Sequence, residues 1–105
     1  MSQEDRFLKN IVNDIFKLLP MKEDNLKGID NQLDVYIEDV IINMKGAAKE
    51  YPYLAQDKYY MYAINKLQAL TTESVSFAFY RKTIFDTLAT IKRLSRDFEV
   101  RQDGK

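Results

Sequence analysis

The sequence predicts an all-α fold, a small bundle of four helices with a short extended segment before the last helix, on three observations. Apolar residues recur at a 3.6-residue period in four separate stretches. Pro20, Gly28, Gly46 and Pro52 fall at the ends of those stretches, where helices stop or chains turn. The 105 residues, 46% hydrophobic and 30% charged, have the balance of an ordinary folded chain and suffice for one domain, 1–105, with 98–105 as a polar C-terminal tail.

The first stretch runs from Glu4 to Leu19, with Leu8, Ile11, Val12, Ile15, Phe16 and Leu19 on one face. Ser2 is a candidate cap, and Pro20 is expected to end the helix because it cannot continue the hydrogen-bond ladder. A polar connector, Met21 to Ile29, should follow. The central stretch starts at Asp30 as cap and stops at Gly46; Leu33, Ile37, Val40, Ile41 and Met44 form its stripe, widened by Val35 and Ile42, so that it should bury more than one side. Tyr51-Pro52-Tyr53 then calls for a loop, since a residue before proline is driven to extended backbone.

A third helix is expected from Asp57, as cap, to Leu70, with Tyr60, Ala63, Ile64, Leu67 and Leu70 on one face. Val75, Phe77 and Phe79 alternate with Ser74, Ser76 and Ala78 within Thr71 to Tyr80, a period of two that fits a short extended segment. Thr83-Ile-Phe-Asp86 offers a capping-box-like start to a last helix, Arg81 to Phe98, with the stripe Ile84, Leu88, Ile91, Leu94 and Phe98.

Sixteen basic and sixteen acidic residues cancel, so no global field draws the protein to nucleic acid or an anionic membrane. The halves differ: residues 1–52 hold seven basic against ten acidic residues, a net of −3, and residues 53–105 hold nine against six, a net of +3. Asp34, Glu38 and Asp39 crowd the central helix, while Arg81, Lys82, Lys92, Arg93 and Arg96 crowd the last. Either group can be a solvated helix face that complements the helix dipole, or a docking face for opposite charge. As docking faces they suit head-to-tail association between copies, and the cations also suit a phosphate backbone. Tyr51 and Tyr53 read either as a lid on the core or as a contact patch.

Catalytic equipment is missing. With no His and no Cys, the usual zinc, redox and nucleophile–base arrangements cannot be assembled, and Ser74, Ser76 and Ser95 have no recognisable base. Three glycines are too few for a phosphate-cradling loop, so no cofactor and no metal is expected. The longest apolar runs fall far short of a bilayer span, and the charged start MSQEDRFLKN does not read as a signal peptide.

Leu33 to Ala48, LDVYIEDVIINMKGAA, followed by a third helix and then Thr72-Glu-Ser-Val-Ser-Phe-Ala-Phe before a basic last helix, resembles the small head-tail connector proteins of tailed phages. The resemblance covers residues 30–98. It implies a non-enzymatic virion protein: a ring of copies below the portal that extends the DNA channel, with the portal protein above and a stopper or tail-completion protein below. Asp34, Glu38 and Asp39 of one copy would then approach Arg81, Lys82, Lys92 or Arg93 of the next. Tyr51, Tyr53, Phe77, Phe79, Arg96 and Arg101 would be the candidate contacts with neighbouring proteins or, non-specifically, with DNA. Ile64-Asn-Lys-Leu67 and Phe85-Asp-Thr-Leu-Ala-Thr-Ile-Lys-Arg93 resemble more loosely the last two helices of bacteriocin immunity proteins. That resemblance implies a monomer of the bacterial cytoplasm that recognises a membrane receptor complex; a small helical regulatory adaptor is a third expectation. An extended Ser74 to Tyr80 would favour the connector, and a continuous helix the immunity bundle.

Overall fold

The structure is a computed structural model that describes residues Gln3–Asp103, and its described side chains exclude Asp5 and residues 98–103. Among the described residues six helices follow one another: α1 (Gln3–Phe16), α2 (Leu18–Leu26), α3 (Leu33–Glu50), α4 (Pro52–Gln56), α5 (Lys58–Thr72) and α6 (Phe77–Asp103). No strand occurs among the described residues. The all-α class expected from the apolar periodicity is found, but with two short helices, α2 and α4, beyond the four expected.

Around the bundle, α1 packs on α6, α6 on α5, α5 on α3, and α3 more lightly on α1. Asp57 with Arg93 and Lys66 with Asp86 fix α5 and α6 as antiparallel neighbours. Among the described residues α3 and α6 do not touch: they are diagonal corners. Leu8, Ile11 and Ile15 of α1, Ile37 and Met44 of α3, Ile64 and Leu67 of α5, and Ile84 and Ile91 of α6 fill the interior. Two buried phenols tie the elements across it. Tyr60 donates its hydroxyl to the carbonyl oxygen of Met44 at 2.7 Å, and Tyr80 donates to that of Leu18 at 2.8 Å. Burial pushes both hydroxyls well above the ordinary tyrosine value, so they stay protonated donors.

The boundaries correct several expectations. Pro20 does not end a helix that reaches Leu19; α1 stops at Phe16, the residue whose carbonyl a continuous helix would bring against the proline ring four positions on. Pro20 itself lies in the first turn of α2, where its missing N–H has no helical partner to lose. The polar connector from Met21 is therefore helical as far as Leu26, and the turn is shorter, made by Gly28 at φ 92° and by Gln32 at φ 55°. Asp30 does not cap α3; its carboxylate accepts only a long 3.4 Å bond from the Gln32 N–H, and Gln32 precedes the first turn.

Gly46 does not stop α3, which continues through it to Glu50 until Pro52 drives Tyr51 to extended backbone. Beyond, Pro52 opens the short helix α4 rather than a loop. Asp57 caps α5 as its position predicts, accepting from the Tyr60 N–H at 2.9 Å. The break between the last two helices is only Glu73 to Ser76, with Glu73 extended; Phe77 and Phe79, expected in an extended segment, lie in the first turn of α6. Ser76, not Thr83, caps α6 by accepting from the Phe79 N–H at 3.2 Å. Thr83 and Thr87 are buried in mid-helix, where Thr87 returns its hydroxyl to the Thr83 carbonyl. Phe98 of the expected stripe lies outside the described side chains, as do Ser2 and the last two residues of the expected tail; the backbone of the remainder, to Asp103, is helical.

Among the described residues no helix is long and apolar enough to cross a membrane. Gly46 sits inside α3 with nothing within 4 Å of the position a Cβ would take. Gly46→Ala is therefore expected to raise stability by about 0.5–1 kcal/mol, read as a higher urea midpoint at unchanged slope. Tyr80→Phe should lower it by about 1 kcal/mol in the same measurement, through loss of the bond to Leu18.

Candidate interaction site

Asp57 anchors the geometry on which the surface depends. Its carboxylate caps α5 and also receives the Arg93 guanidinium in a two-pronged pair, at 3.0 and 2.9 Å. Burial pushes the Asp57 carboxyl up, but the Tyr60 N–H and the Arg93 guanidinium together outweigh it and hold the group below the usual carboxylate range. Arg93 also reaches Asp97 at 3.4 Å and lies over the Tyr59 ring. Of the five cations expected as a docking face, Arg93 is thus engaged inside the molecule.

Three of the others stay together. Arg81, Lys92 and Arg96 are exposed, and with Phe85 and Ala89 they occupy one side of α6 at spacings of 4, 4, 3 and 4 from Arg81 through Phe85, Ala89 and Lys92 to Arg96, while Lys82, also exposed, stands at its edge beside Asp86. Among the described side chains no acid shares that side. Asp86 and Asp97 face the α5 flank, where Asp86 pairs with Lys66 at 3.6 Å and Lys82 at 3.3 Å. Phe85, 40% exposed, lies at the centre of the cationic stripe with the Arg81 guanidinium over its ring at 4.9 Å. Lys92, Ser95 and Arg96 also line a cleft of about 390 Å³ with Leu8, Val12 and Asn13 of α1.

The acidic triad divides. Asp34 and Glu38 lie on the same side of α3 as Lys45 and Lys49, at offsets of 4, 11 and 15 from Asp34, so cations share their face. Asp39 falls on another side, with Ile42, Asn43, Gly46 and Glu50 at offsets of 3, 4, 7 and 11. That side flanks a groove of about 550 Å³ between α3 and α1, lined among others by Phe7, Ile11, Asp14, Ile42 and Glu50. None of the three acids makes an ion pair among the described residues.

Val35 and Ile42 do not widen a buried stripe; they are 50% and 63% exposed, lying outside the side of α3 that packs against α5, α4, α2 and, lightly, α1. Phe16 is likewise half exposed rather than core, lying next to the break before α2. Tyr51 and Tyr53 are half-buried against the core, and Phe77 is half-buried with its ring stacked 6.4 Å from that of Tyr80. Phe79 is exposed, and the Arg101 side chain lies outside those described. Sequence reasoning missed Phe85 and Ile42 as surface residues; the signal was present, since each breaks the apolar spacing of its own helix while keeping register with charged or small neighbours.

Among the described residues no three acidic, His or Cys side chains gather to hold a metal ion. Ser76 is spent as a helix cap, and Ser95 lines the α1–α6 cleft. Such surfaces can bind by charge and by apolar contact. Compared with protein-family profiles, with curated proteins and with solved structures, the chain matches none.

The folded Asp57 carboxyl titrates below its unfolded value of about 3.9, so its contribution is present above that pH and is lost as pH falls through the folded value. Asp57→Asn should therefore cost about 1–2 kcal/mol at pH 7 and make stability less steep in pH below about 4, both read by urea unfolding at neutral and acid pH.

Proposed function

We propose that this protein is a non-enzymatic structural adaptor whose copies join head to tail, a head-tail connector of a tailed-phage virion that forms a ring below the portal and extends the DNA channel. A stopper or tail-completion protein would follow beneath. The observation that carries this reading is the diagonal placement of the charges: the cationic stripe is on α6 and the acids are on α3, helices that do not touch within the described residues. Charges held at opposite corners cannot neutralise one another inside one molecule, yet they can do so between copies.

The two patches are different surfaces, so the contact they make is heterologous, and it closes into a ring when the rotation per copy divides a full turn. Single exposed ion pairs contribute little. Several in register around an apolar centre such as Phe85 fix orientation and raise the rate of encounter.

Light scattering of the purified protein tests this. The mass should exceed that of the 12.4 kDa chain at about 20 mM salt and fall towards it near 0.5 M, where the screening length shrinks to a few ångströms. Arg81→Glu with Arg96→Glu should remove the low-salt species while leaving helicity intact, and electron microscopy of the native low-salt species should show closed annuli. A monomer at every concentration and salt would overturn the reading.

A further inference from the structure

We infer that the groove between α1 and α3 of one copy receives the exposed side of α6 from the next. The inference rests on the head-to-tail assembly proposed above and names its acceptor surface.

Three features of the groove fit that occupant. Its apolar floor, with Phe7, Ile11 and Ala47, runs between two helices that pack on each other only lightly, and Ile42 stands on its flank largely exposed. Its charged lining residues are both acids, Asp14 and Glu50; no Lys or Arg lines it. Gly46 sits on the α3 wall with open space where a side chain would be, which lets a second helix backbone come close.

The side of α6 that carries Phe85 and Ala89 is the converse: an apolar centre with Arg81, Lys92 and Arg96 around it and, among the described side chains, no acid. Laid along the groove, Phe85 and Ala89 meet the apolar floor while the cations reach the acids of α1 and α3. The alternative acceptor, the side of α3 bearing Asp34 and Glu38, also carries Lys45 and Lys49, which would face the incoming cations. Charge complementarity therefore favours the groove.

The chain has no cysteine, so single introduced thiols report on the contact without background. Asn43→Cys lies on the groove and Ala89→Cys on the α6 side. Mixed and mildly oxidised at low salt, the two variants should form a disulfide-linked dimer, while each alone stays monomeric on a non-reducing gel, as a heterologous contact requires. A chain carrying both should give a ladder of multimers. Gly46→Leu, which replaces a poor helix former by a good one, should leave helicity and unfolding midpoint undiminished yet reduce the cross-link at least tenfold.

Oligomers by light scattering without a 43–89 cross-link would overturn the groove as acceptor and leave the head-to-tail reading standing. Self-linking of either single variant, or a Gly46→Leu chain that cross-links as the native groove does, would also overturn it. Monomers with no cross-link would overturn both, and would point instead to a basic helix of another protein as occupant.

Discussion

The pair between Asp57 and Arg93 sets the register on which the functional surface depends. One carboxylate closes the first turn of α5 and clamps the guanidinium of α6 at two points, so the cap of one helix and the rotation of its neighbour are decided together. With Arg93 turned towards α5, the side of α6 that bears Arg81, Phe85, Ala89, Lys92 and Arg96 is left to solvent. Asp86 pairs with Lys66 of α5 and Asp97 with Arg93, and among the described side chains the outward side carries cations and no acid.

Topology does the rest. The helices α1, α6, α5 and α3 form a closed circuit in which neighbours bury their stripes against each other, and the closing contact, α3 on α1, is the weakest. A groove opens there, and the diagonal keeps the acidic and cationic helices apart. A monomer so built carries unneutralised charge of both signs on a surface with exposed Ile42 and Phe85, a combination that favours partners over solitude. The buried hydroxyls of Tyr60 and Tyr80 are committed to backbone carbonyls.

Periodicity was a reliable guide to the four longer helices and to most of the residues they bury, while α2 and α4 carry no such stripe and their residues read as a connector and a loop. Leu8, Ile37, Leu67 and Ile91 were legible as core because the 3.6-residue stripe is imposed by burial itself. Helix ends were less legible, since a local signal there competes with packing. Gly46 reads as a stop but costs only about 1 kcal/mol inside a helix, and α3 continues through it to bury Ala47 and Ala48. Thr83 reads as a cap, yet Ser76 reaches a free N–H one helix turn earlier than the expected start, and starting there brings Tyr80 into the helix and onto Leu18.

Charge identities were equally plain in the sequence, and their grouping was not. That α6 is cationic and α3 acidic follows from composition, and that Asp34 and Glu38 share a side follows from spacing. Sequence alone determined the fold class, the apolar stripes, the cap at Asp57 and the division of charge between the two halves, because each of these is written in residue types along a single element. Only the tertiary structure decided that Arg93 is held inward and that α3 and α6 stand diagonally with a groove beside α1. Those outcomes depend on which helix lies next to which, and a one-dimensional pattern specifies the face a helix buries without specifying the neighbour that covers it.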